Sequence, residues 1–269
     1  MSETPIKTPV EIDTTRPGLA RMYDYLLGGT ENHPADRALV DEIAATDPGV
    51  FAAARANRDF LIRAVRFLTE DVGIRQFLDI GSGLPTQDNV HAVAQAIAPE
   101  ARVVYVDNDP TITVHAESLV RAEKNIEVVL GDLGRPEDIL NAPGVRRLLD
   151  FDEPVALLLV AVLHFVPDAE DPWAAVRLLL DALPPGSYLV LSHVSLAELD
   201  ELAATTDRAF EKRSIELNAN RTKAQIARFF EGLELLEPGL VETTEWRAEQ
   251  TAPRKVSDMV IYAGLARKN

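Results

Sequence analysis

The sequence predicts an α/β fold, a mostly parallel sheet of seven strands with helices on both faces, an antiparallel last strand and a helical N-terminal extension. Three observations carry this expectation. From Gly73 onward, short apolar runs alternate with segments whose apolar residues recur at helical spacing. The stretch Phe77-Leu78-Asp79-Ile80-Gly81-Ser82-Gly83 leads an apolar strand into a glycine turn, with a helix expected from near Asp88. The run from Val155 to Leu163 is apolar for nine residues, as a central parallel strand covered on both faces should be.

In chain order, residues 1–18 carry prolines at 5, 9 and 17 and read as an extended arm. Residues 19–30 read as a helix ended by Gly28-Gly29. This segment has two readings: a helix packed on the core through Met22, Tyr25 and Leu26, or a lid whose glycine turn closes over a ligand. A second helix covers 35–45 and ends at the Asp47-Pro48-Gly49 turn. A long amphipathic helix covers 50–70, with Phe51, Ala54, Phe60, Leu61, Val65 and Leu68 on one face and Arg55, Arg58, Arg63 and Arg66 solvated or paired on others. Strands follow at 77–80, 103–106, 126–130, 155–162 and 188–192, separated by helices at 89–97, 111–122 and 172–183 and short helical stretches near 136–140 and 145–149. Helices at 196–210 and 222–231 lead to a sixth strand region, 233–236 and 241–245, and a last strand at 259–265. Residues 1–70 are therefore expected as a helical extension contributing to the site, and 71–269 as the ligand-binding domain.

Composition limits function. There are 27 Lys and Arg against 43 Asp and Glu, a net charge of −16, which opposes a nonspecific grip on nucleic acid phosphates. With no cysteine there is no disulfide, thiolate nucleophile or zinc–thiolate site, and the five histidines are too scattered to form a metal site. The N-terminus lacks a positive region followed by an apolar one, and no apolar run is long enough for a membrane span. A cytoplasmic protein with no membrane partner is the expectation.

Four strand ends carry groups suited to a nucleoside. The first offers Asp79, Gly81, Ser82 and Gly83. The second offers Asp107, 24 residues after Gly83, placed to grip a ribose diol. The third offers Asp132, which could accept from an adenine amino group or position the backbone that does so. The fourth offers His164. Glycines at 81 and 83 clear space for a ligand, and backbone donors at 81–83 would meet its polar tail. A dinucleotide fingerprint would need a third glycine where Thr86 stands, after Pro85, so an NAD-dependent oxidoreductase is the weakest reading.

These residues resemble class I S-adenosylmethionine-dependent methyltransferases. Leu78–Gly83 is similar to their first motif, Val104-Tyr105-Val106-Asp107-Asn108-Asp109-Pro110 to their second-strand motif, and Gly131-Asp132-Leu133 to their third-strand acid. Ala161–Asp168 and Leu183–Leu189 resemble the regions around their fourth and fifth strands. Ala20–Asn32, Ala54–Leu61 and Gly83–His91 look closer still to one actinobacterial S-adenosyl methyltransferase family, long described as a domain of unknown function. The resemblance implies a Rossmann-like fold and S-adenosyl-L-methionine as cofactor. It implies that Asp79 orients the methionine ammonium, that Gly81 and Gly83 let the cofactor lie against the backbone, that Asp107 binds the ribose and Asp132 the adenine edge, and that Ser82, Asn108 and Leu133 are also among the cofactor-binding residues.

Methyl transfer from a sulfonium depends mostly on positioning, and a base is needed only if the acceptor must lose a proton early. Catalytic candidates near the crevice are His164, Tyr23 and Tyr25, with His33 behind them. His164 could equally be a scaffold histidine that packs or caps the next helix. No Asn-Pro-Pro-aromatic signature follows strand 4, where Ala161-Val162-Leu163-His164 stands. This fits a small-molecule acceptor better than DNA or RNA. A noncatalytic cofactor-binding regulatory protein is the alternative, because a fold does not set a function.

Overall fold

The computed structural model describes residues 13–84, 89–112, 125–215, 217–248 and 256–269. Pro85, Thr86, Asp88, His115 and most of the helix expected over 111–122 lie outside these residues. Three helices precede the sheet: α1 (Leu19–Leu26), α2 (Pro34–Ala44) and α3 (Val50–Phe67), the last running into a π turn over Leu68–Val72. Then come β1 (Gln76–Ile80), α4 (Val90–Ile97), β2 (Arg102–Asp107), β3 (Ile126–Leu130), α5 (Pro136–Asn141), α6 (Pro143–Leu148) and β4 (Ala156–Val160). The remainder is α7 (Pro172–Asp181), β5 (Tyr188–Ser195), α8 (Asp200–Glu211), α9 (Lys223–Ala227), β6 (Glu234–Leu235), β7 (Val241–Glu242) and β8 (Val260–Arg267).

The sheet order is β3-β2-β1-β4-β5-β8-β6, with β7 also paired to β8. β1 to β5 are parallel, with registers such as Asp79 opposite Tyr105 and Leu158. β8 lies antiparallel to β5, from Tyr188 opposite Arg267 to Ser195 opposite Val260. Strand order reverses between β1 and β4, and in such sheets the ligand crevice opens at the carboxyl ends beside that reversal. The expected sixth strand region divides into two two-residue strands because the Glu237-Pro238-Gly239 turn interrupts it. The expected fourth strand stops at Val160, because Ala161 takes a left-handed φ of 57° and turns the chain toward a short 3-10 turn at Leu163–Phe165.

Side-chain alternation along the strands builds a core on each face. Leu78, Ile80, Val104, Val106, Leu157 and Leu159 pack on one side with Ile139, Val145, Val176 and Leu179 from α5, α6 and α7. Phe77, Val103, Ala156, Leu158 and Val190 pack on the other with Phe60, Leu61, Ala64 and Val65 of α3 and with Trp246. Through that face α3 is seated on the sheet, and its N-terminal half projects to the strand tips. A third cluster joins Met22, Leu39, Val40, Ile43 and Val50 of the N-terminal helices to Ala209 and Phe210 of α8. The extension and α8 therefore meet above the carboxyl ends of the strands. No helix among the described residues is long and apolar enough to cross a membrane.

Candidate active site

The strand tips and these covering helices enclose a cavity of about 550 Å³. Asp79, Gly81, Ser82 and Gly83 line it after β1, Asp107, Asn108 and Asp109 after β2, and Gly131, Asp132 and Leu133 after β3. Ala161, Val162 and His164 line it after β4, and Tyr23, Ala54, Asn57 and Arg58 enter it from α1 and α3. The structure thus brings together His164, Tyr23 and all eight residues expected to hold the cofactor. Tyr25 does not line the cavity: its hydroxyl donates to Asp41 Oδ1 at 3.0 Å and its ring meets Phe51 edge-on. His33 heads α2 as its N-cap and is likewise not part of the lining.

The glycine turn is held from β2. Gly81 and Ser82 N–H donate to the Val106 carbonyl at 2.8 and 3.2 Å, and Gly83 N–H donates to Asp107 Oδ2 at 2.8 Å. The expectation that these amides face a ligand is therefore corrected, because the neighbouring strand already uses all three. The turn offers a ligand its flat surface and the buried Ser82 hydroxyl, which has no partner among the described residues. Gly81 sits at φ +74°, and a Cβ there would run into the Val162 side chain.

Asp107 is nearly buried, and its other oxygen accepts from Asp109 N–H at 3.0 Å. Burial raises its carboxyl above the ordinary range despite these amide donors. Asp79 is also buried and makes no side-chain hydrogen bond among the described residues. Burial pushes its carboxyl up to about 7; Arg58 pulls it down in part and Asp107 pushes it up further. A buried carboxylate without a donor costs free energy unless a cation arrives. Asp132 is exposed at the rim, with Oδ1 accepting from Gly134 N–H at 2.9 Å, and Leu133 is buried beside it.

A polar chain ties the covering helices to the sheet. Tyr23 OH accepts from Asn57 Nδ2 at 2.9 Å and donates to the Ala54 carbonyl at 3.3 Å. Asn57 Oδ1 accepts from Ser192 Oγ at 2.6 Å, and that oxygen accepts from Ala161 N–H at 3.0 Å. Burial raises the Tyr23 phenol above its ordinary pKa, so it stays protonated. The segment from Gly18 to Arg37 is itself stitched together. Buried Asp36 accepts from Gly18 N–H, Arg21 Nε and His33 N–H, while Asn32 Nδ2 donates to Asp24 Oδ2 and to the Gly29 carbonyl.

His164 is buried at the end of β4, its Nδ1 accepting from Val194 N–H at 3.5 Å. Behind it, buried Arg221 donates to the carbonyls of Leu163 and Val166, to Asp168 Oδ1 and to His193 Nε2. His193 Nδ1–H in turn donates to the Val194 carbonyl at 2.6 Å. Burial drives His164 well below its ordinary pKa, with His193 and Arg221 adding to the effect, and burial brings His193 to about 3. Both rings are neutral at pH 7. With Nδ1 accepting, the His164 proton resides on Nε2.

Sequence reasoning placed Arg58 among solvated or paired arginines and gave Asn57 no separate role. The structure sets both in the cavity wall. Asn57 was legible only as a polar residue on the buried stripe of α3. Thr206, buried on α8 and also lining the cavity, gave no local signal.

A family model described as S-adenosyl methyltransferase matches residues 5–269. The chain belongs to that family. A crystal structure of a DUF574 family protein from Streptomyces avermitilis shares 40% identity, covering 96% of this chain and 100% of that one with a TM-score of 0.91. A candidate methyltransferase from Thermobifida fusca shares 41% identity over 96% and 97% of the two chains, with a TM-score of 0.88. The plantazolicin methyltransferase BpumL, solved with S-adenosylhomocysteine, is similar in fold alone, at 12% identity and a TM-score of 0.51. No curated protein matches the chain.

Proposed function

We propose that the protein transfers a methyl group from S-adenosyl-L-methionine to a small-molecule acceptor. The observation that carries this reading is the continuity of the cavity. One space joins the acidic strand tips to His164, Tyr23 and an apolar lobe beyond them. A protein that only bound the cofactor would need no such second compartment.

The residues present fit the cofactor. Among the described residues the Ser82 hydroxyl has no hydrogen-bond partner, and Asp79 is a buried carboxylate with no donor. Asp79 would face the methionine ammonium, Gly81 to Gly83 would lie against the chain, Asp107 and Asn108 would accept from the ribose hydroxyls, and Asp132 and Leu133 would flank the adenine. Bound there, the cofactor would supply an electrophilic sulfonium methyl.

The chain's own contribution is position. His164 and Tyr23 are both neutral at pH 7 and both fixed by hydrogen bonds, so they orient an acceptor rather than deprotonate it strongly. The carboxylates of Asp107, Asp109, Asp132 and Glu170 around the cavity favour a small molecule over a phosphate backbone. The test is to incubate protein and S-adenosyl-L-methionine with a small-molecule cell extract and follow S-adenosylhomocysteine. Turnover that is lost in His164→Ala, with cofactor affinity retained, is the expected result. Tight cofactor binding with no turnover over a broad acceptor panel would favour the regulatory-protein reading.

A further inference from the structure

The cavity is chemically two-sided, and the side away from the cofactor acids specifies a kind of molecule. Resting on the methyltransferase reading above, we propose that the acceptor is an uncharged, planar aromatic compound carrying one hydrogen-bonding group, seated between α1, α3 and α8. The acids that line the cavity all come from the strand tips and the loop after β4. Towards α8 the wall is Met22, Ala53, Phe165, Phe210 and Met259, with no charged side chain contributed by α1, α2, α8 or β8; the cation in the lining, Arg58 of α3, stands on the cofactor side near Asp79. A charged acceptor would lose its hydration there with nothing to replace it.

Two features narrow the shape. The rings of Phe165 and Phe210 lie near parallel, 27° apart with centroids at 6.4 Å, and the His164 ring lies 4.3 Å from that of Phe165. Both phenylalanines line the lobe and favour an aromatic partner, and the two methionines, Met22 and Met259, adapt to an irregular outline. Thr206 supplies the polar point. It is only 2% exposed, it lines the cavity, and its Oγ1 has no hydrogen-bond partner among the described residues. A buried hydroxyl left unpaired costs free energy, and an acceptor's own donor or acceptor group would satisfy it. His164 stands where β4 gives way to this lobe, between the cofactor tips and the aromatic wall.

The test uses the full chain and equilibrium binding, with 2-naphthol as the neutral planar probe and 2-naphthoate as its anionic counterpart. Calorimetry first measures S-adenosylhomocysteine binding, then titrates each probe into the saturated protein. The expected results are 2-naphthol binding at least about tenfold tighter than 2-naphthoate, and binding weakened about 2- to 10-fold in Thr206→Val. In Ala53→Phe, which fills the lobe, probe binding should be lost. In both variants S-adenosylhomocysteine affinity should be unchanged, which also reports that each has folded. Equal binding of the two probes, or 2-naphthol binding indifferent to both variants, overturns the acceptor assignment and leaves the cofactor reading standing. Failure of S-adenosylhomocysteine to bind wild-type protein overturns the cofactor reading, and the acceptor assignment with it.

Discussion

Replacing Asp79 by Asn should make the ligand-free protein more stable while weakening its grip on S-adenosyl-L-methionine. Asp79 is buried at the tip of β1 with no donor to its carboxylate among the described residues, and its carboxyl is raised from 3.8 to about 7, chiefly by burial. A carboxyl whose folded pKa is raised binds more protons in the folded state, so it lowers stability as pH climbs from about 4 through 7. At ~1.36 kcal/mol per pH unit, the gap between 3.8 and about 7 is worth at most about 4 kcal/mol above pH 7, and about half of that at pH 5.5. Asn carries no charge and avoids this cost. In a domain of this size ~1 kcal/mol moves Tm by roughly 2–4 °C, so the variant should melt up to roughly 8–16 °C above wild type at pH 8 and by about half that at pH 5.5. The assay is thermal unfolding of ligand-free wild type and variant at both pH values, alongside calorimetric titration with S-adenosyl-L-methionine. Wild-type affinity should fall as pH drops below 7, with a proton released on binding there, because the ammonium needs the ionised carboxylate. The variant should bind weakly and without that pH dependence. A variant no more stable than wild type at pH 8, with unaltered affinity, would refute the reasoning. Asp79 would then be a structural carboxylate whose burial is compensated within the protein.

Gly81→Ala should cost more stability than Gly83→Ala. Both glycines have positive φ, worth about 1–2 kcal/mol for a side chain, but only at Gly81 does the new Cβ meet Val162, while at Gly83 the nearest atom is Ala20 Cβ at 3.8 Å; urea unfolding of the pair checks the order. Asn57→Ala removes the link between Tyr23 and Ser192 and leaves buried groups unpaired, so it should destabilise by about 1–3 kcal/mol and raise the protease sensitivity of the N-terminal helices. His164, held well below its ordinary pKa, should show no proton NMR titration between pH 5.5 and 8, and a midpoint near 6.5 would contradict its burial as described.

The strands and their terminal acids were legible because they are local. A short apolar run, a glycine turn and a following acid each sit within a few residues, and parallel pairing then brings the tips of β1, β2, β3 and β4 together. What stayed hidden depends on partners far along the chain. Arg58 belongs to a helix whose arginines look solvated, and only the fold sets it near Asp79. Asn57 reaches Ser192 across 135 residues, and Arg221 reaches Asp168 across 53. The amides at 81–83 were expected to face a ligand because glycine turns commonly do so, but pairing with β2 consumed them. Tyr25 and Tyr23 are two residues apart on one helix, so their side chains point to different faces, and only Tyr23 reaches the cavity.

The most direct measurement is calorimetric titration of ligand-free protein with S-adenosyl-L-methionine, S-adenosylhomocysteine and NAD, for wild type and for Asp107→Asn. The substitution keeps an acceptor for Gly83 N–H but removes the charge that would hold the ribose hydroxyls. Micromolar binding of both adenosyl compounds, weakened at least about tenfold in the variant and absent for NAD, is the result expected of a methyltransferase cofactor site. Binding of NAD in preference to the adenosyl compounds, or of none of the three, would contradict it.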